Sequence, residues 1–248
     1  MCPEPSRKTN FARSPDEHPL AIVLVSGGID SCVTAGIANQ DYPGRMAFLH
    51  FCYGQLTEAR ELQAFEKIAD FYDVKLRKVV RTDYLKEIGG SSLTDERIPV
   101  PSGPASPDSI PSTYVPFRNT HILALAVSWA EVIGAERIYI GAVAEDSAGY
   151  PDCQPEYYEA YNRLIAVGTK VGDKLRIVTP VIHMTKAEIV KKGVELEAPL
   201  HLTWSCYKNE DVACGECDSC VRRRRAFHTA GVPDPVLYSS PNFPPPKA

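Results

Sequence analysis

Two clusters of residues in this 248-residue chain have the types and spacing to do chemistry. The first runs from Ala21 to Ser31, A-I-V-L-V-S-G-G-I-D-S. An unbroken apolar run followed by two glycines and a polar triplet predicts a buried parallel strand, a tight turn and a helix start. Gly27 and Gly28 let the backbone turn sharply and come close to a ligand. The N–H groups freed by the turn, with the helix dipole behind them, form an anion site. Ser26 and Ser31 add hydroxyl donors. Asp30 repels phosphate, so its partner is a metal ion or a ribose or amine donor. The second cluster is Cys206, Cys214, Cys217 and Cys220, within C-Y-K-N-E-D-V-A-C-G-E-C-D-S-C. Four thiolates complete a tetrahedral Zn²⁺ shell and leave no open position, which predicts a structural metal. From spacing alone an iron–sulfur cluster is the alternative.

The glycine loop is neither of the common nucleotide loops. G-x-x-x-x-G-K-[ST] and G-x-G-x-x-G are both absent from the chain. It resembles instead the S-G-G-x-D-S loop of the PP-loop ATP pyrophosphatases, which implies cleavage of ATP between its α and β phosphates. After the cysteines comes the run Arg222 to Arg225. Zinc with four thiolates carries a net charge of about −2, and the run is expected to offset it. Binding of RNA is the other reading of such a run.

These residues need elements to hold them. The pattern predicts a helix over Ser31–Asn39, a strand over Met46–Phe51, a helix over Glu58–Tyr72 and a strand over Val74–Val80. Further on it predicts a helix over Arg118–Ile133 closed by Gly134, and a strand over Arg137–Ala142. A helix from Pro155 to Val167, a strand from Leu175 to Val181 and a helix from Thr185 complete the set. Thr185 and Glu188 form a capping box at that last start. Alternating strands and helices imply an α/β fold, a parallel sheet with helices on both faces. Leu85 to Thr113 breaks the alternation with loop composition, either a lid or binding loop or a surface insertion. Val143 to Gln154 follows a strand's C-terminal end, where open α/β sheets bind ligands. The division expected is a polar leader over 1–19, a nucleotide domain over 20–200, a zinc-binding segment over 201–231 and an extended proline-rich tail over 232–248.

Composition narrows the setting. Hydrophobic residues make up 44% and charged residues 23%, and the net charge of −4 gives no general reason to bind nucleic acid. The leader lacks the apolar core of a signal peptide. Ile122 to Ala135 is too short and is interrupted by Glu131, so no membrane span is expected. A cytoplasmic protein is the expectation, in which eight cysteines mean metal or catalysis rather than disulfides. Cys2 reads as incidental. Cys32 and Cys52 read as small core residues, and the role of Cys153 stays open.

Taken together, S-G-G-I-D-S, Y-G-Q, Y-V-P-F-R-N-T, G-Y-P-D-C, T-P-V-I-H-M-T-K-A-E-I, T-W-S-C-Y and C-G-E-C-D-S-C occur in the order found in the QueC family, the 7-cyano-7-deazaguanine synthases. The match spans Ala21 to Phe227. The resemblance implies a Rossmann-like fold of the adenine nucleotide alpha hydrolase type. It implies conversion of 7-carboxy-7-deazaguanine, ammonia and ATP into 7-cyano-7-deazaguanine, AMP and pyrophosphate, by a homodimer with a structural Zn²⁺ on the four cysteines. The ATP stretch corresponds to Val25, Ser26, Gly27, Gly28, Ile29, Asp30, Ser31, Cys32, Val33, Thr34 and Ala35. Asp30 is the candidate to orient Mg²⁺, and Arg118 to clamp phosphate or carboxylate. Asp146 and Asp152 are candidates to read the base's donor edge, and Tyr150 to stack on it. The chain departs from the family at Phe117, where a small residue is frequent, at Leu56 and Thr57 after Y-G-Q, and at Gln154. A tRNA thiolase or lysidine-type ligase and a non-enzymatic zinc-ribbon RNA binder are the rival readings.

Overall fold

The protein is described by a computed structural model covering residues 20–103, 110–144 and 150–240. Asp146, Cys2, the leader and the last eight tail residues lie outside these described residues. Five parallel strands form one sheet: β1 (Ala21–Leu24), β2 (Met46–Cys52), β3 (Leu76–Arg81), β4 (Arg137–Ile140) and β5 (Arg176–Val178). Their order is β3-β2-β1-β4-β5. Chain order therefore reverses between β1 and β4. The crevice beyond the C-terminal ends of two such strands is where ligands of open α/β sheets bind.

Successive residues of β1 feed opposite layers. Ile22 and Leu24 pack with Leu49, Ile138 and Ile140 under α4 (Arg118–Ile133) and α5 (Pro155–Gly168). Ala21 and Val23 pack with Phe48, Phe65 and Ile68 under α1 (Ile29–Asp41) and α2 (Glu58–Phe71). Both faces are covered, so the strand has no polar alternation to show. Two further helices, α6 (Lys186–Glu195) and α7 (Asp218–Ala230), pack against each other and, with α1, enclose Val33, Ile189 and Phe227. The capping box at Thr185 is formed in both directions. Gly134 takes the left-handed conformation that ends α4.

The stretch from Leu85 to Thr113, expected as either a lid or binding loop or a surface insertion, is partly built into the fold over its described residues 85–103 and 110–113. Its start belongs to a short helix, α3 (Tyr84–Ile88), and Ser91, Ser92, Leu93 and Thr94 are buried. Leu93 O accepts from Leu56 N at 2.9 Å, and Ser92 N donates to Ser112 O at 2.8 Å. The tail, expected to be merely extended, carries no helix or strand over 232–240 yet is anchored. Asp234 pairs with Arg223, whose side chain is only 2% exposed, and also accepts from Val236 N and the Tyr238 hydroxyl. A buried guanidinium demands such a partner, and composition alone does not reveal it.

Candidate functional site

The glycine loop sits at the sheet's switch point, and three backbone contacts fix it there. Val25 N donates to Leu49 O at 3.0 Å, and Trp204 N donates to Gly27 O at 2.9 Å. His50 Nδ1 lies 2.8 Å from Val25 O, on a ring whose burial lowers its pKa and keeps it neutral. Gly27 has φ +94°, and a Cβ there would lie 2.8 Å from Glu61 O. The turn thus lies directly against α2. Gly141, which the sequence reading passed over, does the same from β4. A Cβ on it would stand 2.7–2.8 Å from the Asp30 and Ser31 backbone, so only glycine lets β4 meet the first turn of α1.

Within the loop, the Ser26 and Ser31 hydroxyls lie 3.2 Å apart, and Gly28 N donates to Ser26 Oγ at 3.3 Å. Val25, Ser26, Gly28, Ile29, Asp30 and Ser31 line a cavity of about 320 Å³. Gly27 does not line it. Cys32, Val33, Thr34 and Ala35 are buried in α1, where burial pushes the Cys32 thiol up to about 12. Asp30 Oδ2 pairs with the Lys186 ammonium, while Asp30 Oδ1 is buried with no hydrogen-bond partner. Lys186 and Arg222 also line this end. Lys186 lay unnoticed inside the capping-box string, because its sequence context speaks only of a helix start.

At the far end the cavity reaches Tyr53, Glu61, Leu93, Arg118, Tyr150 and Asp152. Arg118 opens α4. Its Nη1 donates to the Tyr53 hydroxyl at 3.1 Å and its Nη2 to Asn119 Oδ1 at 3.3 Å, while its buried Nε has no partner. The residue before it, Phe117, is left-handed with φ +58°. That conformation is costly for an aromatic residue. Asp152 both lines the cavity and holds this helix. Its Oδ2 accepts from Asn119 N at 3.0 Å, serving as an N-terminal cap contributed from 33 residues away. Its carbonyl accepts from Asn119 Nδ2 and from the Tyr158 hydroxyl. Tyr150 lies against Tyr114, with ring centroids 5.5 Å apart, and shares a 2.7 Å hydrogen bond with Thr113 Oγ1. Cys153 is buried at this wall, 3.4 Å from Asn119 Nδ2.

Glu61 was missed because Q-L-T-E-A-R-E reads as an ordinary charged helix start. Thr57 Oγ1 donates to its Oε1 at 2.8 Å and Gln55 Nε2 to its Oε2 at 3.1 Å. Burial raises its pKa above the usual carboxylate range; the two hydrogen bonds and the Arg118 charge pull the other way.

The four cysteine sulfurs lie within 4.8 Å of one another and could hold a metal ion. The arginine run does not face them as expected. Arg222 Nε bonds Asp218 at 2.8 Å, Arg223 bonds Asp234, and Arg224 donates to the carbonyls of Gly215 and Ser240. Backbone N–H groups point at the sulfurs instead: Lys208, Asn209 and Cys214 to Cys206 Sγ, and Cys217 to Cys214 Sγ, at 3.3–3.4 Å. Helical rotation of about 100° per residue spreads consecutive arginines around α7, so they cannot all serve one site. The metal loop also joins the cavity wall, to which Trp204, Tyr207, Asp218 and Arg222 contribute.

Comparison with known proteins adds the following. A family profile described as "Queuosine biosynthesis protein QueC" matches residues 20–231. A 7-cyano-7-deazaguanine synthase of Koribacter versatilis is 56% identical over 221 residues, covering 88% of this chain and 93% of that one. That of Chlorobium phaeobacteroides is 56% identical over 219 residues, covering 88% and 96%. A solved NH3-dependent NAD synthetase of Campylobacter jejuni is a distant likeness, with TM-score 0.44 and 13% identity, covering 75% of this chain and 67% of that one.

Proposed function

The chain belongs to the QueC family, and from that premise we propose that it is a 7-cyano-7-deazaguanine synthase. It is a ligase that converts 7-carboxy-7-deazaguanine, ammonia and ATP into 7-cyano-7-deazaguanine, AMP and pyrophosphate. The observation that carries this reading is the continuity of the cavity, which is lined both by the Ser26–Ser31 loop and by Arg118.

A carboxylate resists ammonia because oxide is a poor leaving group. Adenylation supplies AMP as the leaving group and requires the acid's oxygen to meet the α-phosphate. The loop N–H groups, Lys186 and Arg222 take the phosphates at one end, where oriented donors and cations stabilise developing charge. Arg118 presents its fork to the acid at the other. The amide formed first is adenylated on its oxygen in turn, so each nitrile consumes two ATP. Tyr53, Tyr150 and Tyr207 remain neutral donors, since burial raises the pKa of each. Asp152, whose Oδ2 is tied to α4, also lines the cavity. It and Asp146, which lies outside the described residues, remain the proposed readers of the base's donor edge.

Mg²⁺ fits beside Asp30. The orphaned Oδ1 offers one carboxylate oxygen, and this ion typically takes one or two carboxylates plus substrate phosphates. It would share the phosphate charge there. Zn²⁺ fits the cysteines. A tetrahedron with Zn–S of about 2.3 Å has edges of about 3.8 Å, and Cys214 Sγ and Cys220 Sγ are 3.8 Å apart. The shell is closed, so zinc would be structural. Exposed Val132, Leu164 and Val167 on α4 and α5 support a homodimer, and dependence on ATP supports a cytoplasmic location. Among the described residues no helix is long and apolar enough to cross a membrane.

The test is mass spectrometry of products from purified protein, ATP, ammonium and 7-carboxy-7-deazaguanine. The nitrile should appear with two AMP and two pyrophosphate per molecule. ADP and phosphate as the only nucleotide products overturn the reading.

A further inference from the structure

Making a nitrile from ammonia breaks all three N–H bonds, so the site needs a group that accepts protons beside the reacting carbon. We propose that Glu61 is that general base, a role that rests on the synthase reading above. Its neighbours distinguish it from the other carboxylates of the cavity. Asp30 is paired with Lys186 and Asp218 with Arg222, and Asp152 caps α4. Those three carboxylates are already engaged by a cation or a helix N-terminus. Glu61 has no ion-pair partner among the described residues. Neutral donors hold it, one on each oxygen, and a carboxylate offers about four acceptor sites. Each oxygen thus keeps capacity for a proton or an N–H.

Its position suits the step. The Glu61 carbonyl touches the phosphate-loop turn at Gly27, and its side chain enters the cavity that Arg118 closes. Its side chain therefore stands at the Arg118 end of the cavity, where the acid is held, on the helix against which the phosphate-loop turn packs. The charged and titratable groups that act on it are Arg118 from α4, Glu58 from α2, Cys52 at the end of β2 and Tyr53 after it. Burial, which raises its pKa, brings it closer to the working pH, where a general base is most effective.

In the first step the ammonia lone pair forms a bond to the acyl carbon. Glu61 takes a proton from the nitrogen, and the C–O bond breaks with its electron pair leaving on AMP. The proton passes to solvent before the second step. The adenylated amide, C(O-AMP)=NH2⁺, then loses both remaining protons, one after the other, through Glu61. The C–O bond again breaks toward AMP and the C≡N bond closes.

A base for N–H protons is not needed to form the acyl adenylate. The Glu61→Gln variant should keep pyrophosphate–ATP exchange that depends on 7-carboxy-7-deazaguanine within about threefold, while nitrile formation falls about 100-fold or more. Hydroxylamine, largely unprotonated and strongly nucleophilic near neutral pH, should restore acyl transfer, read as hydroxamate. The rise of nitrile formation with pH that reports Glu61 should vanish in the variant. Should thermal unfolding show that the Gln variant is not folded, Glu61→Asp is read in the same assays, expecting the same split between exchange and nitrile. Equal loss of exchange and nitrile formation in a folded variant, or no rescue by hydroxylamine, overturns the role of Glu61. Absence of acid-dependent exchange in the unmodified protein overturns the synthase reading instead.

Discussion

Asp30 and Lys186 meet across the cavity mouth, from the first turn of α1 and the first residue of α6. Their side chains are only 26% and 22% exposed, so the pair is largely buried, where desolvation cancels much of the attraction and leaves a net contribution of about 1 kcal/mol or less. An ion pair worth so little to the fold, placed where phosphate charge must be met, is better explained by the site. Lys186→Met should lower turnover about 100-fold, with a small fall in Tm. It also strands the Asp30 carboxylate. The double variant Asp30→Asn/Lys186→Met removes that strain and should recover the Tm but not turnover. Recovery of turnover in the double variant would mean that the pair only holds α1 against α6.

The two loop glycines look equivalent as letters, and the elements around them separate their duties. Gly27 is required by the fold: its φ is +94° and α2 leaves no room for a Cβ. Gly28 has φ −82°, and a Cβ there would find its nearest atoms at 3.5 and 3.8 Å, ordinary contacts. Gly28→Ala should therefore keep stability within about 0.5 kcal/mol, yet weaken ATP binding at least tenfold, because the methyl stands where a phosphate approaches the N–H groups. Gly27→Ala should cost about 1–3 kcal/mol. Calorimetry with ATP and thermal melts separate the two, and unchanged ATP affinity in Gly28→Ala would remove phosphate from this turn. The strand, turn and helix were legible in the sequence because a buried parallel strand and a glycine turn are local patterns. Arg118 to Ile133 was legible for the same reason. Glu61, Lys186 and Gly141 were not, since each acquires its meaning from an element distant in sequence. The tie from Asp152 to α4 was not legible on the same ground: the helix it caps begins 34 positions earlier, and nothing near it in sequence shows that.

At the scale of the whole molecule, the loop of the four cysteines is built into the wall of the cavity. Trp204 N bonds the phosphate-loop turn at Gly27 and its indole packs beneath the Arg60 guanidinium, 4.4 Å away. Cys206 follows two residues later. Cys217 caps α7, whose first turns bring Asp218 and Arg222 to the cavity. The long loop is tied in as well, through a β-bridge from Ser102 to Cys217 and a 2.8 Å bond from Gly103 N to Glu216 O. The fold class and the grouping of the four cysteines could be read from the sequence pattern. This stitching could not, because each tie joins segments far apart in the chain. Metal removal is thus expected to act on catalysis and not only on the loop. Stripping the proposed Zn²⁺ leaves four thiol groups packed together with no ion to order them, and α7 loses its anchored start. The chain contains two tryptophans, so Trp129→Phe leaves Trp204 as sole reporter. During chelation its emission should shift to the red along the same curve as the loss of zinc, and pyrophosphate release should fall with it. If turnover persists after zinc has left and Trp204 has become exposed, the metal loop and the phosphate loop are energetically separate, and the Trp204–Gly27 contact carries no coupling between them.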